Sequence, residues 1–419
     1  MSSTNTTQRA RRGAALVMAT FALNGFTLAN WLSRIPTVRD ELGLSEGQLG
    51  MIILVGSLGS LLSMPVTGRV IDGLGARRTV ALTAVVAAVG LTVVAAGVHA
   101  GTVWLLVAGL FVTFMGVGGW DVSMNYAGTM VERGLERAIM PWFHGGFSIG
   151  TVLGAGVGAL VIRAGVGVPL HVVTVVAVAL TLVLLCTRGF LTADDLAAGE
   201  NGGEPDEEVR GARASFTGVW FERRTLLVGL VVLAAALTEG AANDWLALAV
   251  VDGFDAPNEV GAIGLAIFLL GMTAMRFLGT ALLNRFGRVV VLRLCTAMAI
   301  AGLAIFTLVP VMPVAMAGGA LWGMGAALGF PVGMSAASDD PAKAAARLAV
   351  VSTIGYAAFL VGPGVLGLLG EIVGTRHALL VIMVPLVAGL LAIPAARELP
   401  PASAAPRTED SRAGGRAEA

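Results

Sequence analysis

Twelve apolar stretches of about twenty residues run through this chain, and one polar segment separates the first six from the last six. An apolar run of 18 or more residues is long enough to cross a bilayer as a helix. Because lipid cannot satisfy exposed backbone groups, such runs form helices and not open strands. We therefore predict an all-α membrane protein with twelve spans, near residues 13–33, 47–70, 79–98, 102–129, 141–163, 166–187, 224–249, 259–283, 289–309, 313–337, 346–370 and 376–396.

The composition indicates that lipid surrounds most of the chain. Hydrophobic residues make up 56% of the sequence, against roughly 45–50% in soluble domains. Charged residues make up only 13%, and the formal net charge is zero. We therefore expect the lipid bilayer as a partner and no nucleic-acid partner.

Basic residues are distributed unevenly between the two sides of the predicted membrane domain. With the N-terminus in the cytoplasm, cytoplasmic segments carry 22 Lys and Arg residues and outer segments carry 4, namely Arg34, Arg39, Arg163 and Arg376. Cytoplasmic loops of membrane proteins carry an excess of Lys and Arg. We therefore predict a multi-pass protein of the cell inner (plasma) membrane with both termini in the cytoplasm.

The polar segments predict the domain organisation. The central one contains a Gly, Pro and acid run at 201–208, a composition that does not form a packed core. We predict an N-terminal six-helix bundle at 1–187, a cytoplasmic linker at 188–223, a C-terminal six-helix bundle at 224–398 and a disordered cytoplasmic tail at 399–419.

The two halves also resemble each other. Asn24-Gly25 in span 1 recurs as Glu239-Gly240 in span 7. Further matches are Gly75 with Gly287, and Gly116-Val117-Gly118 with Gly323-Met324-Gly325. A two-fold repeat of six-helix units predicts a binding site at the repeat interface, near the middle of the membrane.

A motif rich in glycine and arginine follows span 2. Glycines permit a tight turn at the membrane surface, a carboxylate there can accept hydrogen bonds from a helix N-terminus, and arginines can lie at anionic headgroups. The motif residues are Gly68, Asp72, Gly75, Arg77 and Arg78. They resemble the loop 2–3 signature of the major facilitator superfamily, with departures at Gly73 and Ala76. The resemblance implies two pseudo-symmetric six-helix bundles, secondary transport and a conformational gate at this loop that does not bind substrate; the alternative is an ordinary basic turn.

A second resemblance is to the fucose permease-like branch of that superfamily. It rests on Asp121 and Asn125 in span 4, on the stretch 140–150 at the start of span 5, and on the stretch 239–245 in span 7. The fucose symporter pattern has a further carboxylate in span 1, where this chain has only Asn24 and Asn30. The coupling mechanism of that branch therefore cannot be copied directly onto this sequence.

Ionisable residues inside the spans are the main candidates for function, because a charged side chain at the centre of a membrane helix costs about 2.5–3.5 kcal/mol on insertion scales. Asp121 and Asn125 share a helix face beside Trp120, where they either bind a proton or polar solute or serve as a structural hydrogen-bonded pair. Glu239 shares its face with Asn243 and takes the repeat position of Asn24. It can thus supply the carboxylate that span 1 lacks.

Three further residues have open alternatives. Asp244 lies closer to the outer end of span 7, where it either contributes to the site or is simply wetted. Arg276 in span 8 requires a partner, which is an acid such as Asp121 or Glu239, backbone carbonyls, an anionic substrate or the membrane surface. His144 either relays protons or bonds to a carbonyl, whereas His171 and the other histidines at span ends are expected to be solvated. The predicted set for proton coupling or substrate binding is Asp121, Asn125, Glu239, Asn243, Asp244, Arg276, His144, Asn24, Asn30 and Trp120.

These features favour a secondary transporter that works by alternating access. We expect proton-coupled movement of a small polar solute, such as a sugar or sugar acid, by a monomer that needs no cofactor. The alternatives are proton-coupled efflux of amphipathic compounds and a non-transporting membrane sensor on the same fold. No phosphate-binding Gly-rich motif, no nucleophile–base pair and no paired metal ligands occur, so we expect neither an enzyme nor a metal site.

Overall fold

The computed structural model describes residues 2–135, 139–191, 216–340 and 343–398, and every regular element within these ranges is helical. Eleven of the described helices are long and apolar enough to cross a membrane. One of them, Glu46–His99, has 54 residues and contains two spans that meet at Gly75, where the backbone is non-helical. The prediction of an all-α protein with twelve spans in two bundles is therefore confirmed.

The first bundle has six spans and one short helix. Span 1 is Ser2–Leu32, a short helix Ile35–Leu42 follows it, and Glu46–His99 forms spans 2 and 3. The remaining spans of this bundle are Val103–Leu135, Met140–Arg163 and Val168–Thr187, which are spans 4, 5 and 6.

The second bundle begins after a short helix, Phe216–Trp220. Spans 7, 8 and 9 are Arg223–Phe254, Asn258–Phe286 and Arg288–Leu308, and span 10 consists of Met312–Ala326 and Gly329–Ala337. Span 11 is Ala344–Val373, and span 12 is formed by Thr375–Ala378, Leu379–Ile382, Met383–Ala392 and Ile393–Ala396. Most of the predicted linker, and the whole predicted tail at 399–419, fall outside the described residues.

Backbone conformation supports the repeat. Gly75 has φ 74° and ψ 161°, and its predicted counterpart Gly287 has φ 75° and ψ 163°. A positive φ with an extended ψ is open essentially to glycine alone, since a Cβ atom would clash with the backbone. The same sharp turn therefore separates spans 2 and 3 and spans 8 and 9.

Helix packing corrects the predicted register of the repeat in spans 4 and 10. Gly116 lies against the backbone of Ala87 in span 3, and Gly325 lies against the backbone of Ala299 in span 9. The equivalent of Gly116 is therefore Gly325 and not Gly323. The Gly-x-Gly spacing occurs in both halves, but the pairing that it suggested is two residues away from the pairing in the structure.

The most extensive contacts between the bundles are those of span 2 with span 11 and of span 5 with span 8, and the short helix Ile35–Leu42 makes smaller contacts with spans 7 and 8. A Cβ at Gly50 of span 2 would lie 2.5 Å from the carbonyl oxygen of Pro363 and 3.1 Å from the Cα of Gly367, both in span 11. Small residues allow such close backbone approach between membrane helices. These contacts set the line along which the two bundles meet.

We call the membrane face on which the described chain begins and ends the proximal face, and the opposite one the distal face. One apolar cluster is continuous across both bundles in their distal half, since it includes Leu49 of span 2 together with Trp245 and Leu366 of spans 7 and 11. A separate cluster fills the proximal half of the first bundle, around Val17 and Phe143. The bundles therefore share an apolar core only toward the distal face.

Candidate functional site

Polar contacts between the bundles close the distal end of their interface. Arg39, in the short helix after span 1, donates hydrogen bonds to Asp252 of span 7 at 2.5 and 2.8 Å. Thr375 at the start of span 12 donates to Glu46 of span 2 at 2.5 Å. We call these four residues the distal latch.

The predicted gate loop lies at the opposite, proximal end. Asp72, Arg77 and Arg78 are exposed, and their side chains form no hydrogen bond or ion pair with any residue that the structure describes. Gly68 is also exposed, and Gly75 supplies the turn described above. In this conformation the loop does not connect the two bundles.

The accessible side chains of span 7 indicate the extent of the space between the bundles. From Ala234 to Val250, only Leu237, Glu239, Asn243 and Asp244 are partly accessible, and residues 245–250 are all buried. Three of the four accessible side chains are polar residues predicted for the site. The accessible stripe ends at Asp244, so the space between the bundles is closed on its distal side.

Arg276 forms an ion pair with Glu239 and a hydrogen bond across the bundle interface. Its Nη2 lies 3.1 Å from both carboxylate oxygens of Glu239, and its Nη1 donates to the hydroxyl of Ser148 in span 5 at 3.1 Å. About a fifth of each charged side chain is exposed, whereas Ser148 is fully buried. Of the partners predicted for Arg276, the structure selects Glu239. We call Arg276, Glu239 and Ser148 the central bridge.

His144 lies one helical turn before Ser148. It is exposed and close enough to Arg276 and Glu239 to interact with both electrostatically. Its ring and that of Phe21 in span 1 pack in an edge-to-face arrangement, with the ring centroids 5.3 Å apart. The structure therefore brings His144 next to the central bridge and pairs it with no carbonyl of the residues that it describes.

Asp121 and Asn125 face the interface from span 4. The amide of Asn125 donates to the Asp121 carbonyl at 2.8 Å and approaches the Asp121 carboxylate at 3.3 Å. Within the described residues, Asp121 has no cationic partner. Tyr356 of span 11 lies near enough to interact electrostatically with Asp121, which places this carboxylate opposite the second bundle.

Trp120 and the span 1 asparagines lie apart from these groups. Trp120 is 2% exposed and belongs to the apolar core of the first bundle. Asn24 is also 2% exposed, and its amide nitrogen has no hydrogen-bond partner in the described part of the chain. Asn30 contacts His171 of span 6 at 2.9 Å, and His171 accepts a hydrogen bond from Arg34 at 2.8 Å.

The position of His171 corrects a prediction from the sequence. It is 4% exposed and not solvated, because Arg34 and Asn30 both reach it inside the first bundle. Arg376 is buried in the same way in the second bundle, where it donates to the carbonyls of Phe306 and Val309. Two of the four basic residues predicted for the outer side therefore hold helix ends together.

Of the three acids predicted for proton coupling or substrate binding, Asp244 alone has no bonded partner among the described residues. It makes no hydrogen bond or ion pair with the described residues, and its carboxylate oxygens are not among the polar atoms sealed from solvent. Gly240, one turn earlier on the same helix face, contacts the ring of Phe359 in span 11. Phe359 in turn lies 6.3 Å from Tyr356 between ring centroids.

The main residue that sequence reasoning missed is Ser148. A serine in an apolar helix is common, since its hydroxyl can bond to its own backbone. The only available signal was its position four residues after His144, on the same face. Within the described residues, no group of three potential metal ligands is assembled.

Comparisons with known proteins agree with this architecture. The sequence profile of the Major Facilitator Superfamily matches residues 14–257 and 228–417. An uncharacterized transporter of Sinorhizobium fredii is 33% identical over 385 residues, which cover 88% of this chain and 96% of that protein. The crystal structure of the nucleoside transporter NupG has a TM-score of 0.71 at 15% identity and covers 91% of this chain and 98% of that one.

A further structural neighbour is the fucose:proton symporter FucP of E. coli, with a TM-score of 0.60 at 15% identity and coverage of 92% of this chain and 98% of that one. At this level of identity the two solved structures show a shared fold. The sequence profile spans nearly the whole chain and the twelve spans form two matching bundles, so the chain is a transporter-type membrane protein that belongs to the Major Facilitator Superfamily.

Proposed function

We propose that this protein is a proton-coupled secondary transporter that moves a small polar solute by alternating access. The observation that carries the proposal is the central bridge, in which one guanidinium joins Glu239 of the second bundle to Ser148 of the first. Charges are expensive at this depth and are retained mainly where they serve a solute or ion pathway. A titratable carboxylate that supports a contact between the bundles can link protonation to their movement.

The coupling step follows from the charges of the bridge. While Glu239 is ionised, it holds the Arg276 guanidinium in the orientation that also reaches Ser148. A proton on Glu239 removes the net attraction within the pair, which is strong in this partly water-excluded setting. Arg276 is then free to leave Ser148, and the contact between spans 5 and 8 weakens. The bridge therefore stabilises the conformation that is closed on the distal side, and protonation favours the other one.

Asp121 is the second candidate proton carrier. It faces the same interface at mid-span, has only Asn125 as a hydrogen-bond partner, and lies near Tyr356 of the opposite bundle. A proton on such a carboxylate removes a charge that is costly in the membrane interior. Asp121 and Glu239 thus provide one titratable group in each bundle.

The orientation follows from the arginines. We propose that the proximal face is cytoplasmic, because the exposed basic residues of the gate loop lie there. Two of the four basic residues on the distal side, Arg34 and Arg376, are bonded inside the bundles. The distal latch then closes the outer side, and the space at the central bridge opens toward the cytoplasm of a monomer in the cell inner membrane.

Flux measurements on the reconstituted protein test the proposal. Purified protein is placed in liposomes that contain a pH-sensitive dye, and sugars, nucleosides and other polar solutes are added outside. We expect at least one solute to move protons with it, and Glu239→Gln to abolish that movement. The matched control is Glu41→Gln, an exposed acid in the short helix after span 1, which should keep wild-type flux. Uptake without proton movement contradicts the coupling, and no flux with any solute favours a non-transporting sensor.

A further inference from the structure

We propose that Glu46 carries a proton while the distal latch is closed, and that loss of this proton opens the latch. The inference goes beyond the proposed function, because it concerns the contact that closes the distal side and requires no solute. It follows from how the hydrogen-bond donors of the latch are distributed between its two carboxyl groups.

The hydroxyl of Thr375 lies between the two acids of the latch. Its Oγ1 is 2.5 Å from Oε1 of Glu46 and 3.2 Å from Oδ2 of Asp252. A hydroxyl has one proton to donate, and its lone pairs only accept. It can therefore donate to one of these carboxyl groups alone, and the other contact is a hydrogen bond only if that carboxyl group supplies a proton of its own.

The hydrogen bonds of the two acids identify which one holds that proton. Arg39 donates to both oxygens of Asp252, at 2.5 and 2.8 Å, and such bidentate charge-assisted bonds favour an ionised carboxylate. Glu46 has no comparable donors, since its Oε2 is sealed from solvent and has no hydrogen-bond partner among the described residues. That oxygen occupies the space that a side chain at Gly370 of span 11 would fill. The proton of the pair therefore belongs on Glu46.

The charges around Glu46 lead to the same assignment. Those that act on it from neighbouring elements are Arg39 of the short helix, Asp252 of span 7 and Glu371 of span 11. Arg39 is already paired with Asp252. Glu371 accepts hydrogen bonds from the hydroxyl of Ser45 at 2.5 Å and from the backbone nitrogen of the residue after Glu46 at 3.0 Å. An ionised Glu46 would thus be a third carboxylate in a partly buried interface that has one cation to offset them.

The protonation of Glu46 affects the bundles because the latch joins them. Glu46 belongs to the first bundle, whereas Asp252 and Thr375 belong to the second. Loss of the proton places like charges opposite each other across the interface, which disfavours the contact. A group that binds its proton more tightly in the closed state stabilises that state at low pH and loses this contribution as pH rises. Rising pH at the latch therefore opens the distal side, whereas at the central bridge it is a proton on Glu239 that favours opening.

Distances across the distal face test the proposal without any solute. Spin labels are placed at Val103→Cys and Val311→Cys, both exposed at distal helix ends of opposite bundles, in a protein without its two native cysteines. Measurements run from about pH 6 to about pH 9.5, above the ordinary titration of carboxyl groups near pH 4, so that Asp252 stays ionised. With rising pH we expect the fraction of wild-type protein that shows the longer distance to increase at least about 3-fold. Glu46→Gln, whose neutral amide cannot lose a proton, should keep the shorter distance throughout.

The matched control is Glu41→Gln, which removes an exposed acid of the short helix that lies outside the latch. Its distances should change with pH as those of wild type do. Wild-type distances that stay constant or shorten as pH rises, or a Glu46→Gln variant that responds to pH like wild type, overturn the proposal. These results leave the proposed function intact if Glu239→Gln still abolishes proton-coupled flux.

Infrared spectra of the same proteins test the assignment of the proton itself. At about pH 6, the C=O stretching band of protonated carboxylic acids should be weaker in Glu46→Gln than in wild type, and Glu41→Gln should match wild type. In wild type, the part of the band that Glu46→Gln lacks should disappear over the same pH range in which the distal distance lengthens. A band of equal strength in wild type and Glu46→Gln would show that Glu46 is ionised in the closed latch and would overturn the proposal.

Discussion

The two bundles follow one repeat but place their charges differently. At repeat-related positions, span 1 has the buried neutral amide of Asn24 and span 7 has Glu239, which is paired with Arg276. The neighbouring glycines both face the fifth span of their own bundle, since Gly25 lies against the backbone carbonyl of Phe147 in span 5 and Gly240 against the ring of Phe359 in span 11. The shared packing maintains the fold, and the difference in charge assigns the ion pair at the interface to the second bundle.

The same contrast occurs at the proximal face. In the second bundle, Asp339 accepts hydrogen bonds from Arg224 at 2.8 Å and from Arg288 at 2.9 Å. In the first bundle, Asp72 of the gate loop has no such partner among the described residues. Hydrogen bonds within the second bundle thus hold its proximal end together. The gate loop of the first bundle has no such bonds to the described residues, so it can form new contacts when the bundles move.

The largest expected effect is at Arg276. Arg276→Ala leaves Glu239 as an unpaired carboxylate and removes the bond to Ser148, and breaking a buried ion pair on one side is strongly destabilising. We expect solute flux in liposomes to fall at least 100-fold. The repeat-related Asn24→Ala should change flux less than about 3-fold. Comparable losses for both variants contradict the assignment of the ion pair to the second bundle alone.

A charge-neutral double variant sharpens this prediction. Arg276→Gln combined with Glu239→Gln leaves no unpaired charge, so the melting temperature should recover most of what Arg276→Ala loses. Flux should remain absent, because the titratable carboxylate is gone. Recovery of flux together with stability would show that the pair is purely structural.

Asp121→Asn should have the next largest effect. The substitution keeps the size and hydrogen-bonding capacity of the side chain and removes its proton chemistry. We expect accumulation driven by a proton gradient to fall by about 10- to 100-fold, while exchange of labelled for unlabelled solute without a gradient stays within about 3-fold. Equal losses in both assays would mean that Asp121 binds solute and does not couple protons.

A smaller effect on stability is expected at Asp339. Its carboxylate is only 13% exposed and accepts from two arginines, so Asp339→Asn should lower the free energy of unfolding by about 1–3 kcal/mol. Asp72→Asn, at an exposed residue, should change it by less than about 0.5 kcal/mol. The melting temperatures of the two variants in detergent measure this difference in stability. Similar shifts for both variants would contradict the proposal that the proximal face is more strongly bonded in the second bundle than in the first.

The smallest effect concerns pH. Hydrogen bonds from Arg347 hold the pKa of Glu222 below its ordinary value. A carboxyl whose pKa is lower in the folded state stabilises the protein above its unfolded pKa of about 4.3 and loses that contribution as pH falls. Between about pH 5 and 3, the melting temperature of Glu222→Gln should therefore decline less steeply than that of wild type. Parallel curves would show that this pair adds nothing to stability.

The sequence predicted the helices well because lipid imposes one rule on every span. Spans 2 and 3 were placed correctly around Gly75 because glycine is nearly the only residue that allows that turn. The candidate site was predicted in part. The cost of charge in a membrane singled out Glu239, Asp121 and Arg276, and the structure then paired the first and the third.

The remainder depended on which helix faces meet in three dimensions. Nothing in the local sequence shows that Ser148 lies opposite Arg276, since the two are 128 residues apart. Asn30 was predicted for the site, and no sequence pattern indicates that it contacts His171 within the first bundle. Polar residues on one helix have two or three possible neighbours, and only the packing of the bundle selects among them.

The most direct test of the central bridge is the distance across the distal face as a function of pH. Spin labels at Val103→Cys and Val311→Cys, both exposed at distal helix ends of opposite bundles, report that distance when Cys186 and Cys295 are replaced by Ser. At neutral pH, Glu239→Gln should give longer distances than wild type. Identical distance distributions for the two proteins at every pH would contradict the proposal that protonation of Glu239 opens the distal side.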